Sequence, residues 1–131
     1  MTTLATTPAP ATRLRLWFGA DAVVTGANAL VYLAAAGPLA DLLGGEAATY
    51  RVLGAFLALY AAGVALYTRG RLGPAGGWTI VGANAVWVAA SLDVAVTGAL
   101  DLGTTGRVWA LAQALVVAEL ALLQARGLRR R

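Results

Sequence analysis

Gly26-Ala27-Asn28-Ala29-Leu30-Val31 returns as Gly82-Ala83-Asn84-Ala85-Val86-Trp87, 56 positions further along the chain. Asn28 and Asn84 are the only asparagines, so their recurrence is not a by-product of an alanine-rich composition. The same offset pairs Arg51 with Arg107, Val52 with Val108, and the small residues Gly54, Ala58 and Ala62 with Ala110, Ala114 and Ala118. The match covers two helices in each copy and predicts a duplicated two-helix unit. An even number of helices per copy gives both copies one orientation. The expected fold is therefore all-α, a bundle of four transmembrane helices built from two parallel two-helix repeats related by an axis along the membrane normal.

Composition supplies the solvent. The chain has 131 residues, of which 60% are hydrophobic and 12% charged, and its mean hydropathy is +0.73. A water-soluble domain of this size needs a largely polar surface, which this composition cannot provide. Residues 1–12, with Pro8 and Pro10 and no apolar periodicity, read as a disordered tail. The rest, 13–131, forms one membrane domain with helices expected at about 16–36, 50–68, 78–100 and 107–126, each of roughly the 20 residues that cross a bilayer core. A cleaved signal peptide ending at Ala34-Ala35-Ala36 is the rival for the first segment, but its apolar part would be too long and is interrupted by Asp21 and Asn28.

Gly37-Pro38 is expected to end the first helix, with Leu39, Leu42 and Leu43 as a short interfacial turn beyond it. Thr49 is the expected cap of the second helix, and residues 69–77, rich in Gly and Arg, read as a flexible basic loop. Arg13, Arg15, Arg69, Arg71, Arg126 and the terminal triplet Arg129-Arg130-Arg131 fall at one end of the spans, while Asp41, Glu46 and Asp101 fall at the other. Basic short loops stay on the cytoplasmic side, which predicts a multi-pass protein of a bacterial cytoplasmic membrane with both termini inside. Trp17, Trp78 and Tyr67 are expected at the inner interface, and Tyr50 and Trp109 at the outer one.

Polar residues inside the spans are the candidate functional groups, because a charge at the bilayer centre costs on the order of 3 kcal/mol or more and an amide in hydrocarbon needs a partner. Asp21, Asn28, Asn84 and Glu119 form the candidate intramembrane site, with Asn28 and Asn84 bracing the two halves and a hydrogen bond between them open. Asp93 and Gln113 lie in the outer half within reach of Arg51 and Arg107, which makes that group a structural polar region. The small-residue rows Gly54, Ala58, Ala62 and Ala110, Ala114, Ala118 read as seams where helix backbones approach closely.

The chain has no Cys, His or Lys, and Ser91 is its only Ser. Thiolate chemistry, Fe–S ligation, the usual zinc and haem ligands, Schiff bases and the usual general base are therefore missing. No catalytic residue, cofactor-binding residue or metal ligand is assigned, and no cofactor is expected. The expected partners are the bilayer, with anionic lipid at the C-terminal arginines and a homo-oligomer both open, and no nucleic acid.

Three runs carry a family resemblance: Asp21-Ala22-Val23-Val24-Thr25-Gly26-Ala27-Asn28, Asn84-Ala85-Val86-Trp87-Val88-Ala89-Ala90-Ser91, and Gln113-Ala114 with Leu123-Gln124-Ala125-Arg126-Gly127-Leu128-Arg129. In these the chain resembles small uncharacterised four-helix integral membrane proteins of high-GC bacteria. That resemblance implies a fold and no activity. The function expected is that of a non-enzymatic binding or accessory component of the membrane. The alternative is a small proton-coupled carrier using an intramembrane carboxylate, and a lipid-modifying or quinone-linked enzyme is a third, weaker class.

Overall fold

The computed structural model describes residues 10–130, with side chains described from Thr12 onward. It contains α1 (Pro10–Ala34), α2 (Ala36–Leu43), α3 (Ala47–Arg69), α4 (Pro74–Thr97) and α5 (Thr104–Arg129), with no strand among the described residues. Four of these helices, α1, α3, α4 and α5, are long and apolar enough to cross a membrane. The all-α, four-span fold is as expected. Most of the expected tail lies outside the described residues, while residues 10–12 already belong to the first turn of α1. Arg131 also lies outside them.

The helix ends differ from expectation for local reasons. Gly37-Pro38 does not end α1; the break falls at Ala35, because Pro38 has no N–H for the carbonyl of Ala34 and its ring would clash with that carbonyl. The chain restarts at once as α2, where Pro38 sits in the first turn and costs nothing. Leu43 of α2 is buried, Leu39 packs against the same cluster, and Leu42 alone points outward. Thr49 is inside α3 and caps nothing: the carbonyl of Glu46 accepts from the N–H groups of Thr49 and Tyr50. At the other end, α4 begins at Pro74, preorganised for a first helical position. Gly76 and Gly77 are thus helical, and a Cβ on either would sit within 2.8 Å of Tyr67 or Leu128. Close helix packing, not loop flexibility, is what these glycines serve.

The bundle is two antiparallel pairs. Helix α1 packs along α3 and α4 along α5, the pairs meet chiefly through α1 and α5, and the backbones of α3 and α4 stay apart, bridged by the side chains of Tyr60 and Tyr67. One apolar cluster closes the arginine end, from Leu14, Phe18, Val64, Leu72, Ile80 and Leu128. A second, from Ala29, Tyr32, Ala36, Leu43, Tyr50 and Leu57, closes the other. There the N–H of Gly103 donates to the carbonyl of Leu43 at 2.9 Å, and a Cβ on Gly106 would stand 2.1 Å from that same oxygen. Only a glycine lets α5 start so close to the end of α2.

The 56-residue repeat is not expressed as a symmetric packing. In the first pair Gly26 faces Ala61 and Gly54 faces Leu33. Carried over by the offset, these contacts would set Gly82 against Val117 and Ala110 against Ala89. The second pair instead sets Gly77 against Leu128, Asn84 against Gln124 and Gly98 against Arg107. That is a slide of about six residues, roughly 9 Å at the helical rise.

The small-residue rows are seams only in part. On α3 the buried stripe is Tyr50, Gly54, Leu57, Ala61 and Val64, so Ala58 and Ala62 turn outward. On α5 Ala110 and Ala114 are buried and Ala118 half-buried. Tyr50, near the start of α3, is buried within the bundle, and Tyr67, near its end, is half-buried. The Tyr50 hydroxyl donates to Gly44 O at 2.8 Å, and Tyr67 stands edge-on to Phe18 with ring centroids 5.0 Å apart.

Candidate functional site

Asp21 is the centre of a buried polar knot to which all four spans contribute. Seven residues separate it from both Leu14 and Asn28, and this two-turn spacing puts Leu14, Phe18, Asp21, Thr25 and Tyr32 along one inward stripe of α1. The carboxylate is 2% exposed. Its Oδ2 accepts from Asn84 Nδ2 and Gln124 Nε2, both at 2.8 Å, and its Oδ1 from the Thr25 hydroxyl at 3.0 Å. Asn84 also donates to Gln124 Oε1 at 3.0 Å, and the Tyr60 hydroxyl lies 3.0 Å from Asn84 Oδ1 and 3.2 Å from the Ile80 carbonyl. Gln124 is fully buried. Three donors converge on one acid with no basic side chain among its partners in the described residues, so hydrogen bonds take the place of an ion pair.

A second polar layer lies further toward the acidic end. The Tyr32 oxygen accepts from Trp109 Nε1 and Gln113 Nε2, both at 3.0 Å, and Asn28 Nδ2 makes a long 3.4 Å contact to Gln113 Oε1. Between the layers, at the middle of the spans, is a cavity of about 280 Å³ bordered by Asn28, Phe56, Tyr60, Asn84, Trp87 and Gln113 among others. A second cavity of about 180 Å³ continues past Trp87, Ala90 and Gln113, which line both. Both occupy the cleft that α3 and α4 leave open.

The sequence-based candidates thus separate. Asp21 and Asn84 are bonded, and Asn28 joins them only as part of the cavity wall. Asn28 and Asn84 do not bond each other: Asn84 is level with Asp21, and Asn28 is seven residues, about 10 Å, along α1. Glu119 does not belong to the group. It lies on the exposed outer face of α5, and none of the knot's hydrogen bonds reaches it. The expected outer grouping also dissolves. Gln113 is buried and bonded to Asn28 and Tyr32, Asp93 is exposed, and the Arg107 guanidinium lies over Gly98. Arg51 is exposed at the start of α3.

Gln124, Tyr60, Thr25, Tyr32 and Trp109 were not singled out from the sequence as site residues. Gln113 and Gln124 are eleven residues apart, three turns on one face, and that periodicity could have paired them. Tyr60 could have been noticed as a tyrosine at mid-span, away from the interfaces that favour it. Among the described residues no group of three or more His, Cys, Asp or Glu side chains is placed to hold a metal.

Four apolar spans around an internal polar knot and a lateral cleft define a small multi-pass membrane protein. Comparison of the chain with protein-family models, with curated proteins and with solved structures gives no match.

Proposed function

We propose that this protein is a non-enzymatic binding component of a bacterial cytoplasmic membrane, whose cleft between α3 and α4 takes up a largely apolar molecule from the bilayer. The observation that carries this is the mid-span cavity beside the polar knot: apolar and aromatic walls with a few converging amide and hydroxyl groups are the usual make-up of a small-molecule site. The knot acts as the rigid floor of that cleft, joining both helix pairs. Both termini lie inside, with Arg13, Arg15, Arg69, Arg71, Arg126, Arg129 and Arg130 toward the cytoplasm and in contact with anionic lipid. The carrier alternative calls for Asp21 or Glu119 as the intramembrane carboxylate that couples a proton to a solute. A buried Asp21 and an outward Glu119 lend that alternative less support.

Native mass spectrometry tests the binding reading. The wild-type protein should retain a small apolar adduct, and Ala90→Phe, which fills the wall shared by both cavities, should release it without loss of helix content. An adduct equally retained by both proteins, or absent from the wild type, would refute binding in the cleft.

A further inference from the structure

Taking the cleft as a binding site, we infer that its occupant is an uncharged lipid whose head is a flat ring bearing carbonyl oxygens, a quinone-type lipid. The first ground is charge. Among the described residues no Arg, Asp or Glu borders either cavity, and Asp21, bonded to the wall residues Thr25 and Asn84, is already occupied by three donors. A charged head would lie unpaired in hydrocarbon.

The second ground is the hydrogen count at the junction of the cavities. The Tyr32 oxygen accepts two N–H groups, and its own hydrogen has no acceptor among the described residues. Gln113 Nε2 and Asn28 Nδ2 each spend one hydrogen, on Tyr32 and Gln113 respectively, and each retains one. Three donor hydrogens are therefore left over. Turning both amides round, so that Tyr32 donates to Gln113 and Gln113 to Asn28, leaves three as well, one on Gln113 and two on Asn28. Unpaired donors away from water are costly, so the complementary ligand presents acceptors. Carbonyl oxygens do that without adding donors of their own.

The third ground is shape. Trp87 borders both cavities, Phe56 stands in the first and Trp109 in the second, so the head meets aromatic faces suited to a planar ring. The gap between α3 and α4 lets an apolar tail remain in the bilayer.

The probe is a two-isoprene ubiquinone, titrated onto the protein in nanodiscs, with retention compared against empty nanodiscs. Saturable binding at one quinone per chain is expected, weakened about tenfold by Gln113→Leu and severalfold by Asn28→Leu, and unchanged by Glu119→Leu on the outer face. A geranyl benzene of matching size without carbonyls should show no excess retention. Asn28→Leu removes only one long hydrogen bond, so it keeps the test valid should Gln113→Leu fail to fold. If the quinone binds but neither variant weakens it, or if the carbonyl-free analogue binds as well, the carbonyl recognition is wrong. If the quinone shows no excess retention while the wild-type adduct is still lost in Ala90→Phe, the cleft binds something else and the quinone class falls alone. Failure of both measurements overturns the cleft itself.

Discussion

Asn28 and Asn84 are equivalent in the repeated sequence, so a symmetric bundle would make them equally important, whereas the tertiary structure makes them unequal. Asn84→Leu, nearly isosteric, removes two donated bonds at 2.8 and 3.0 Å and one accepted from Tyr60. Asp21 keeps Gln124 and Thr25 as donors and Tyr60 keeps the Ile80 carbonyl, so no group is left wholly bare except Gln124 Oε1. At roughly 0.6 to 1 kcal/mol for each bond between helices in lipid, the expected loss is about 2 to 3 kcal/mol. Asn28→Leu removes a single 3.4 Å contact at a half-buried position and should cost well under 1 kcal/mol. Reversible unfolding in bicelles, followed by tryptophan fluorescence, measures both. The coupling between Asn84→Leu and Gln124→Leu should be large, because both serve the same Asp21 oxygen, while Asn28→Leu and Asn84→Leu should add. Equal losses for the two asparagines, or strong coupling between them, would refute the knot as described.

Glu119 and the membrane topology offer two more tests. Glu119→Leu breaks no bond among the described residues and replaces a mid-span acid on the outer face, so stability should be unchanged or higher; a loss above about 1 kcal/mol by the same unfolding measurement would show that this face of α5 is covered by another chain. With no native cysteine in the sequence, single cysteines at Ala75 and Ala99, both exposed and at opposite ends of α4, should label from opposite sides of oriented vesicles. Labelling from one side only would remove the four-span topology.

The sequence by itself determined the solvent, the number of spans, the end of the bundle at which the arginines gather, and the polar residues worth examining. Each of these depends on sums or positions along one dimension: an apolar run of sufficient length crosses a bilayer whatever its neighbours do. Asp21 and Asn84 were legible as costly groups needing partners. Their partners were not, because partnership depends on how far helices rotate and slide against each other. Glu119 and Gln124 show this within one helix. They are five residues apart on α5, on different faces, and only one faces the knot. In a soluble protein the apolar stripe would have revealed the inward face, but in lipid the outer surface is as apolar as the core, so hydrophobic periodicity loses that power. The slide of the second helix pair was hidden for the same reason. Packing of Gly77 against Leu128 and of Gly106 against Leu43, not the repeated text, fixed the register, and with it the level of Asn84, the separation of Asn28, and the cleft between α3 and α4.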